Sequence, residues 1–107
     1  MEIFDMGAAT EFSPDHHVYK FLAETPYCSI SVVGWEPGQT SPIHSHPTAD
    51  EIYHVLEGEG SMEIEGRRQI VRRHDVIFIP PGVPHSICNN GLTDLTFIVV
   101  TTPVDDR

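Results

Sequence analysis

Two histidines and a nearby glutamate are the residues of this chain best suited to bind a metal ion. His44 and His46 flank Ser45, and Glu51 follows His46 by five positions. In an extended strand, side chains two positions apart point to the same side, so both imidazoles can face one point. Two neutral imidazoles and a carboxylate are ligands that borderline divalent transition ions prefer. With a third imidazole further along at His85, the sequence predicts a metal site.

Turn-forming residues flank this group on both sides. Gly38 follows Pro37 and precedes His44 by six positions, and Gly58 follows Glu51 by seven. Glycine and proline favour turns, for different conformational reasons. We therefore expect segment 38–58 to be extended structure bounded by turns.

A second segment, 74–89, places His85 among further turn residues. Pro80, Gly82, His85 and Asn89 follow one another at spacings of two, three and four positions, directly after the apolar run Val-Ile-Phe-Ile. A short apolar run bounded by turn residues is typical of a buried strand. The segment is therefore predicted to be a strand, a turn and a histidine that follows the turn.

Together the two segments resemble the two conserved motifs of the cupin superfamily. The resemblance spans Gly38 to Asn89, with one departure: His74 stands where the second motif opens with glycine. Histidine tolerates a positive φ better than most residues, so this departure bears on the turn alone. The resemblance implies an all-β fold, a single small β-barrel of the double-stranded β-helix or jelly-roll type.

The resemblance also implies which residues bind the metal. The four ligands would be His44, His46, Glu51 and His85. They would hold one divalent transition-metal ion, and the ligand set leaves iron, manganese, nickel, copper and zinc open. Three neutral imidazoles and one carboxylate leave a divalent centre with a single net positive charge, which favours an anionic, chelating substrate. Tyr53 shares a strand face with Glu51 and is the candidate catalytic residue, as a proton donor; the alternative is a packed tyrosine whose hydroxyl is satisfied.

Two classes of function follow from such a site. The first is an enzyme acting on a small chelating molecule, with dioxygenase chemistry favoured and isomerase, lyase or decarboxylase chemistry as the alternative. The second is a non-catalytic cupin that binds a small molecule. The full ligand set favours the enzyme. No cationic residue lies between Lys20 and Arg67, which predicts a substrate whose only anionic group binds the metal.

Charge and length limit the partners of the chain. Its 107 residues carry a net charge of −10, which argues against nucleic acid and anionic membranes as partners. No apolar run has the length of a membrane helix, and the first residues do not resemble a secretory signal, so a cytoplasmic protein is expected. Four of the six lysines and arginines fall between Arg67 and Arg73, where a solvated sheet edge is expected.

The elements that must position these residues are short strands. Short β-rich runs separated by prolines and glycines predict one all-β domain over residues 1–107. Strands are predicted at 28–35, 41–45, 52–57, 59–65, 68–73, 76–79, 84–89 and 93–101. Residues 1–23 are expected to form one or two edge strands or to pair with a neighbouring subunit. Because a small barrel leaves apolar strand faces on its outer wall, a homodimer is expected.

Five further side chains have predicted environments. Trp35 is expected in the core rather than as a platform for substrate. His16 and His17 lie in a polar stretch and are expected in solvent, whereas strand parity places His54 on the outer face. Asn89 is expected to bond backbone at a turn.

Overall fold

The computed structural model describes residues 1–103, which form one short helix and two β-sheets. The elements in chain order are α1 (Met6–Ala9), β1 (Val18–Thr25), β2 (Cys28–Trp35), β3 (Asp50–Glu57), β4 (Glu59–Ile64), β5 (Arg67–Arg72), β6 (Val76–Ile79), β7 (His85–Cys88) and β8 (Leu95–Thr102). The helix α1 has only four residues. In the described part of the chain, no helix has the length and hydropathy needed to cross a membrane.

The two sheets are antiparallel and have different sizes. The larger has the strand order β1-β2-β8-β3-β6, and the smaller has the order β5-β4-β7. The chain passes between the sheets after β3, β5, β6 and β7. This winding is that of a double-stranded β-helix, so the predicted all-β barrel is confirmed.

Side chains from both sheets fill the space between them. In β3, burial alternates: Glu51, Tyr53 and Val55 are buried, while the residues between them are half-buried. This confirms that Tyr53 shares a strand face with Glu51, and Val55 lies on the same face. The buried apolar cluster comprises Val33, Trp35, Tyr53, Val55, Met62, Val71, Ile79, Ile87, Leu95, Phe97 and Val99.

Tight turns occur where the sequence predicts them. Glu65 and Gly66 have φ values of 51° and 77°, and they join β4 to β5 in a hairpin. Two positive φ values in a two-residue loop match the right-handed twist of the flanking strands. His74, which stands in place of the family's glycine, has a φ of 79°. The turn geometry therefore survives the substitution.

The predicted strand at 41–45 is wrong. Only isolated bridges occur here, one between Thr40 and Cys88 and one between His44 and His85. Pro42 lies between the two bridging residues and has no backbone N–H to donate, so a continuous ladder cannot form. The segment is a loop held at two points against β7. The strands predicted at 28–35 and 76–79 have the same bounds as β2 and β6.

The N-terminal segment packs against its own chain. β1 pairs with β2 and is an edge strand of the larger sheet, which confirms one of the alternatives for this region. Before β1, the backbone oxygen of Glu11 and the ring of Phe12 approach Gly34 so closely that a Cβ there would collide with both. Gln39 Nε2 also donates to the backbone oxygen of Ser13 at 2.7 Å. These contacts fix the start of β1 beside β2.

Candidate metal centre

Three segments bring the four predicted ligands together. His44 and His46 lie in the loop between β2 and β3, Glu51 lies in β3, and His85 is the first residue of β7. One ligand atom from each residue lies within 4.8 Å of those from the other three. The cluster has the composition and size to hold one metal ion.

The carboxylate of Glu51 is at the centre of the cluster. Its Oε1 lies 2.8 Å from Nε2 of His85, and its Oε2 lies 3.3 Å from Nε2 of His46. The ring of His44 lies 4.3 Å from that of His85, centroid to centroid. Glu51 and His85 are buried, whereas His44 is exposed. The cluster is therefore enclosed on the Glu51 side and open on the His44 side.

Backbone carbonyls orient two of the imidazoles. Nδ1 of His85 lies 2.9 Å from the backbone oxygen of Val83, and Nδ1 of His44 lies 3.3 Å from that of Pro42. A proton held at Nδ1 by such a hydrogen bond would leave Nε2 as the ligand atom for a metal, which would replace the proton that Nε2 of His85 otherwise donates to Glu51. The backbones of His44 and His85 also exchange two hydrogen bonds of 2.9 Å. Both rings are thus held in place before any ion binds.

The surroundings favour the protonation states that a metal requires. Although part of its side chain is exposed, His44 is partly desolvated within the cluster, which lowers its pKa, and the neighbouring His85 lowers it further. The neutral imidazole is therefore favoured. Burial alone would raise the pKa of Glu51. The hydrogen bond with His85, and the charges that His46 and His85 carry when protonated, outweigh it and bring the pKa below its usual value. A neutral imidazole and an ionised carboxylate are the forms that bind metal.

Tyr53 contacts this cluster directly. Its hydroxyl donates to Oε1 of Glu51 at 3.1 Å and lies 3.2 Å from Nε2 of His85. Burial, and then the charge of Glu51, raise the pKa of Tyr53, so its hydroxyl stays protonated. Tyr53 is therefore a packed tyrosine with a satisfied hydroxyl, and its catalytic role stays a prediction.

A cavity of about 350 Å³ opens beside the cluster. His44, His46 and Glu51 lie in its wall. The remaining lining residues are His17, Tyr19, Phe21, Val33, Trp35, Ser41, Pro42, Tyr53, Ile87, Phe97, Val99 and Thr101. A small molecule in this cavity could therefore reach an ion held by the cluster.

Sequence reasoning missed His17 as a residue of this cavity. Its ring stacks on Trp35, with 4.1 Å between centroids and 9° between ring planes. The expectation that His17 lies in solvent is wrong, because it is half-buried against Trp35, whereas His16 is exposed as expected. The signal was strand parity: His17, Tyr19 and Phe21 are spaced two apart and line the same cavity.

The predicted environments of His54 and Asn89 are confirmed, and Trp35 has a second location besides the predicted one. Trp35 is only 2% exposed and belongs to the core, but its ring also lines the cavity. His54 is half-buried on the face of β3 opposite Glu51. Asn89 Nδ2 donates to the backbone oxygens of Trp35 and Thr93, both at 3.0 Å, as expected for a turn residue.

Comparison with known families identifies this architecture. The family model described as "Cupin domain" matches residues 31–101, which include all four residues of the cluster. The chain belongs to the cupin family. A solved structure of a Thermus thermophilus protein superposes on this cupin with a TM-score of 0.90 and 25% sequence identity. That superposition covers 96% of this chain and 98% of the other.

Two relatives of this cupin have names that refer to oxalate. Over 64 residues it is 41% identical to an oxalate-binding protein of Thermotoga maritima, covering 60% of this chain and 53% of that protein. Over 79 residues it is 34% identical to an oxalate oxidase of Triticum aestivum, covering 66% of this chain and 35% of that protein. The cupin therefore spans about half, or less, of the length of these relatives.

Proposed function

We propose that this cupin is a metal-dependent enzyme that acts on a small, metal-chelating substrate. The observation that carries the proposal is the buried Glu51 carboxylate, which contacts imidazoles beside an accessible cavity. The proposed ligands of one divalent transition ion are His44, His46, Glu51 and His85.

The donor set fits a divalent transition ion better than other ions. Calcium and magnesium prefer oxygen ligands, whereas three imidazole nitrogens and one carboxylate suit iron, manganese, nickel, copper or zinc. The lowered pKa of His44 and that of Glu51 keep both groups in the forms that bind metal at neutral pH. Availability in the cell, rather than raw affinity, would then decide which of these ions is bound.

Oxidative chemistry of the dioxygenase type is our favoured reaction class. A bound ion would polarise a chelated substrate oxygen and, if redox-active, would allow reaction with dioxygen. The wheat relative named as an oxalate oxidase supports an oxidative reaction. Isomerase, lyase or decarboxylase chemistry is the alternative, because a Lewis acid alone is sufficient for those reactions.

Within this proposal Tyr53 is a positioning residue for Glu51. Its hydroxyl donates a hydrogen bond to Oε1 at 3.1 Å. Because its pKa is raised, the hydroxyl keeps its proton and serves as a hydrogen-bond donor rather than as an acid. The bond would hold the carboxylate in one rotamer while its lone pairs face the imidazoles. Loss of the hydroxyl should therefore change metal affinity as well as rate.

The second candidate function is non-catalytic binding of a small molecule. The Thermotoga maritima relative is named for binding oxalate rather than for a reaction. In that case the ion would hold a ligand in the cavity without turnover. Fold membership does not separate the two, because one fold supports many functions.

Metal content and turnover together test the proposal. The protein is purified without a metal-binding tag, its metal content is measured by mass spectrometry, and both oxygen uptake and loss of substrate are followed with a panel of chelating substrates. We expect about one ion per chain and metal-dependent turnover. Stoichiometric metal and ligand binding with no turnover of any substrate would support the binding function instead. Absence of any bound ion, even after incubation with each of the five metals, would contradict both.

A further inference from the structure

The walls of the cavity beside Glu51 carry no positive charge. None of the lysines and arginines within residues 1–103 lines it. Lys20 lies between the cavity residues of β1 and pairs with Glu11 at 3.3 Å. Arg72, at the end of β5 in the smaller sheet, pairs with Glu59 at 3.4 Å. Arg73, in the turn after β5, pairs with Glu57 at 3.9 Å. An anionic group in the cavity would therefore have only a bound ion to compensate its charge.

An anion's total charge therefore matters at this centre. Three neutral imidazoles and one carboxylate leave a divalent ion with a single net positive charge. A chelating monoanion would neutralise the centre, whereas oxalate, a dianion, would leave a net negative charge. In a partly buried site without Lys or Arg, an uncompensated charge is costly. The site is therefore better matched to a monoanionic chelator.

Most of the remaining wall is aromatic or apolar, with Ser41 and Thr101 as hydroxyl-bearing exceptions. Tyr19 and Phe21 project from edge strand β1, with 5.2 Å between their ring centroids. Trp35, buried under the stacked ring of His17, and Phe97 line other parts of the cavity. Flat aromatic walls favour planar ligands, which can stack or pack edge to face. A ligand made of two carboxylates alone has no apolar group that could pack against this surface.

The size of the cavity agrees with a larger ligand. At about 350 Å³, the cavity falls in the range of roughly 300–1,000 Å³ that encloses small organic molecules. A two-carbon diacid bound at the ion would leave most of this volume to water against apolar walls. A ligand with an additional ring would bury that surface instead.

We infer that the substrate is a monoanionic metal chelator attached to a planar, apolar body, rather than a compact dianion such as oxalate. This inference rests on the metal-dependent function proposed above. The chelating group would bind the ion beside Glu51, and the body would lie against Tyr19 and Phe21. Edge strand β1 is then the wall that sets substrate specificity.

Two hydroxamates test this inference, because they share the chelating group and differ in the body. The protein is loaded with one equivalent of Co²⁺, and binding of acetohydroxamate and benzohydroxamate is followed through the cobalt spectrum. Each affinity is normalised to that for free Co²⁺ in the same buffer. We expect the phenyl compound to bind at least about tenfold more tightly than the methyl compound, because its ring is buried. Oxalate, normalised in the same way, should bind more weakly than benzohydroxamate.

Variants of the wall show whether the aromatic side chains cause this preference. Phe21→Ala and Tyr19→Ala should each reduce the ratio of phenyl-compound to methyl-compound affinity several-fold, because each removes an aromatic face that the phenyl group would contact. Both side chains are partly exposed on an edge strand, 50% and 42%, so the fold should tolerate either change. Tyr27→Ala is the matched control, since Tyr27 is 78% exposed and does not line the cavity.

The outcomes separate this inference from the proposed function. If Co²⁺ is retained but the wild type binds both hydroxamates equally or prefers oxalate, the substrate inference is wrong and the metal site stands. If the phenyl preference persists in both Phe21→Ala and Tyr19→Ala, the assignment of β1 as the specificity wall is wrong. If neither Co²⁺ nor any of the five proposed metals is retained, the proposed function fails and the inference fails with it.

Discussion

Oε1 of Glu51 lies 2.8 Å from Nε2 of His85, although the two residues belong to different sheets. Glu51 lies in β3 of the five-stranded sheet, and His85 lies in β7 of the three-stranded sheet. Both side chains are nearly fully buried, at 3% and 1% exposure. The polar cluster therefore joins the two halves of the barrel, and an ion bound there would do the same.

Replacing Glu51 by Gln should reduce bound metal strongly while the fold persists. The change keeps the size of the side chain but removes the only charged ligand among the four. We expect well under half of the wild-type metal content, measured by mass spectrometry, with an unchanged circular dichroism spectrum. Glu59→Gln, on an exposed ion pair with Arg72, is the control and should bind metal like the wild type. Wild-type metal content in Glu51→Gln would show that the carboxylate is not a ligand.

Chelation should lower the melting temperature without unfolding the protein at 25 °C. The core consists of apolar side chains from both sheets, so the barrel does not depend on an ion to fold. Binding to the folded state alone contributes about 2.7 kcal/mol when the free ion is at 100 times its Kd. A thermal melt with and without a strong chelator measures the loss, which should be several degrees. An unchanged midpoint after verified metal removal would argue against a site in the folded protein.

Acid should destabilise the metal-free protein through His17. Burial lowers the pKa of His17, as do the charges of His16 and His44, so the folded state binds fewer protons than the unfolded state. The stability that His17 contributes is therefore complete above its unfolded pKa, about 6.5, and falls as the pH drops below it. His17→Phe keeps a ring on Trp35 and removes this titration.

Thermal melts between pH 7.5 and 5 measure the effect. We expect His17→Phe to lose fewer degrees on acidification than the wild type. His16→Phe removes only a smaller cause of the lowered pKa of His17, so its loss should fall between those of the wild type and His17→Phe. Identical pH dependence in His17→Phe and the wild type would show that His17 does not contribute.

Two glycines with similar backbone angles should respond differently to alanine. Gly58 and Gly66 have φ values of 86° and 77°, so alanine is strained at both. At Gly58 a Cβ would also collide with the backbone oxygen of Asp94, whereas at Gly66 nothing lies within 4 Å. We expect Gly66→Ala to cost about 1 kcal/mol and Gly58→Ala clearly more. Urea unfolding measures both, and equal losses would mean that the backbone near Asp94 adjusts.

The homodimer stays a prediction, and one outer face of the larger sheet is its candidate interface. Strand register places Ile30, Val100, Ile52 and Phe78 in one row on the face opposite Glu51. Phe78 is 58% exposed at the edge strand β6. Light scattering at micromolar concentration should give the mass of two chains, and Phe78→Ser should shift it towards one. Leu92→Ser, at a fully exposed loop position, is the control. A wild-type mass of one chain would contradict the prediction.

Local patterns in the sequence predicted the centre of the molecule well. Apolar runs fixed the bounds of β2 and β6, and the spacing of the histidines and of Glu51 predicted a cluster that the fold brings together. The prediction of a strand at 41–45 was wrong because Pro42 interrupts the backbone ladder. A pattern of apolar residues does not show such an interruption. The environment of His17 was predicted wrongly because no strand bounds were assigned within residues 1–23. Without them, neither its parity with Tyr19 and Phe21 nor the β1–β2 pairing that brings it beside Trp35 could be used.

The position of β1 at the edge of its sheet separates two tasks within the cavity. The proposed ligands lie on β3, β7 and the loop between β2 and β3, whereas His17, Tyr19 and Phe21 lie on or next to a strand paired on one side only. Changes on that strand disturb one neighbouring ladder and leave the donor atoms where they are. During evolution, substitutions of these three side chains could therefore change which substrate binds while the metal ligands stay the same.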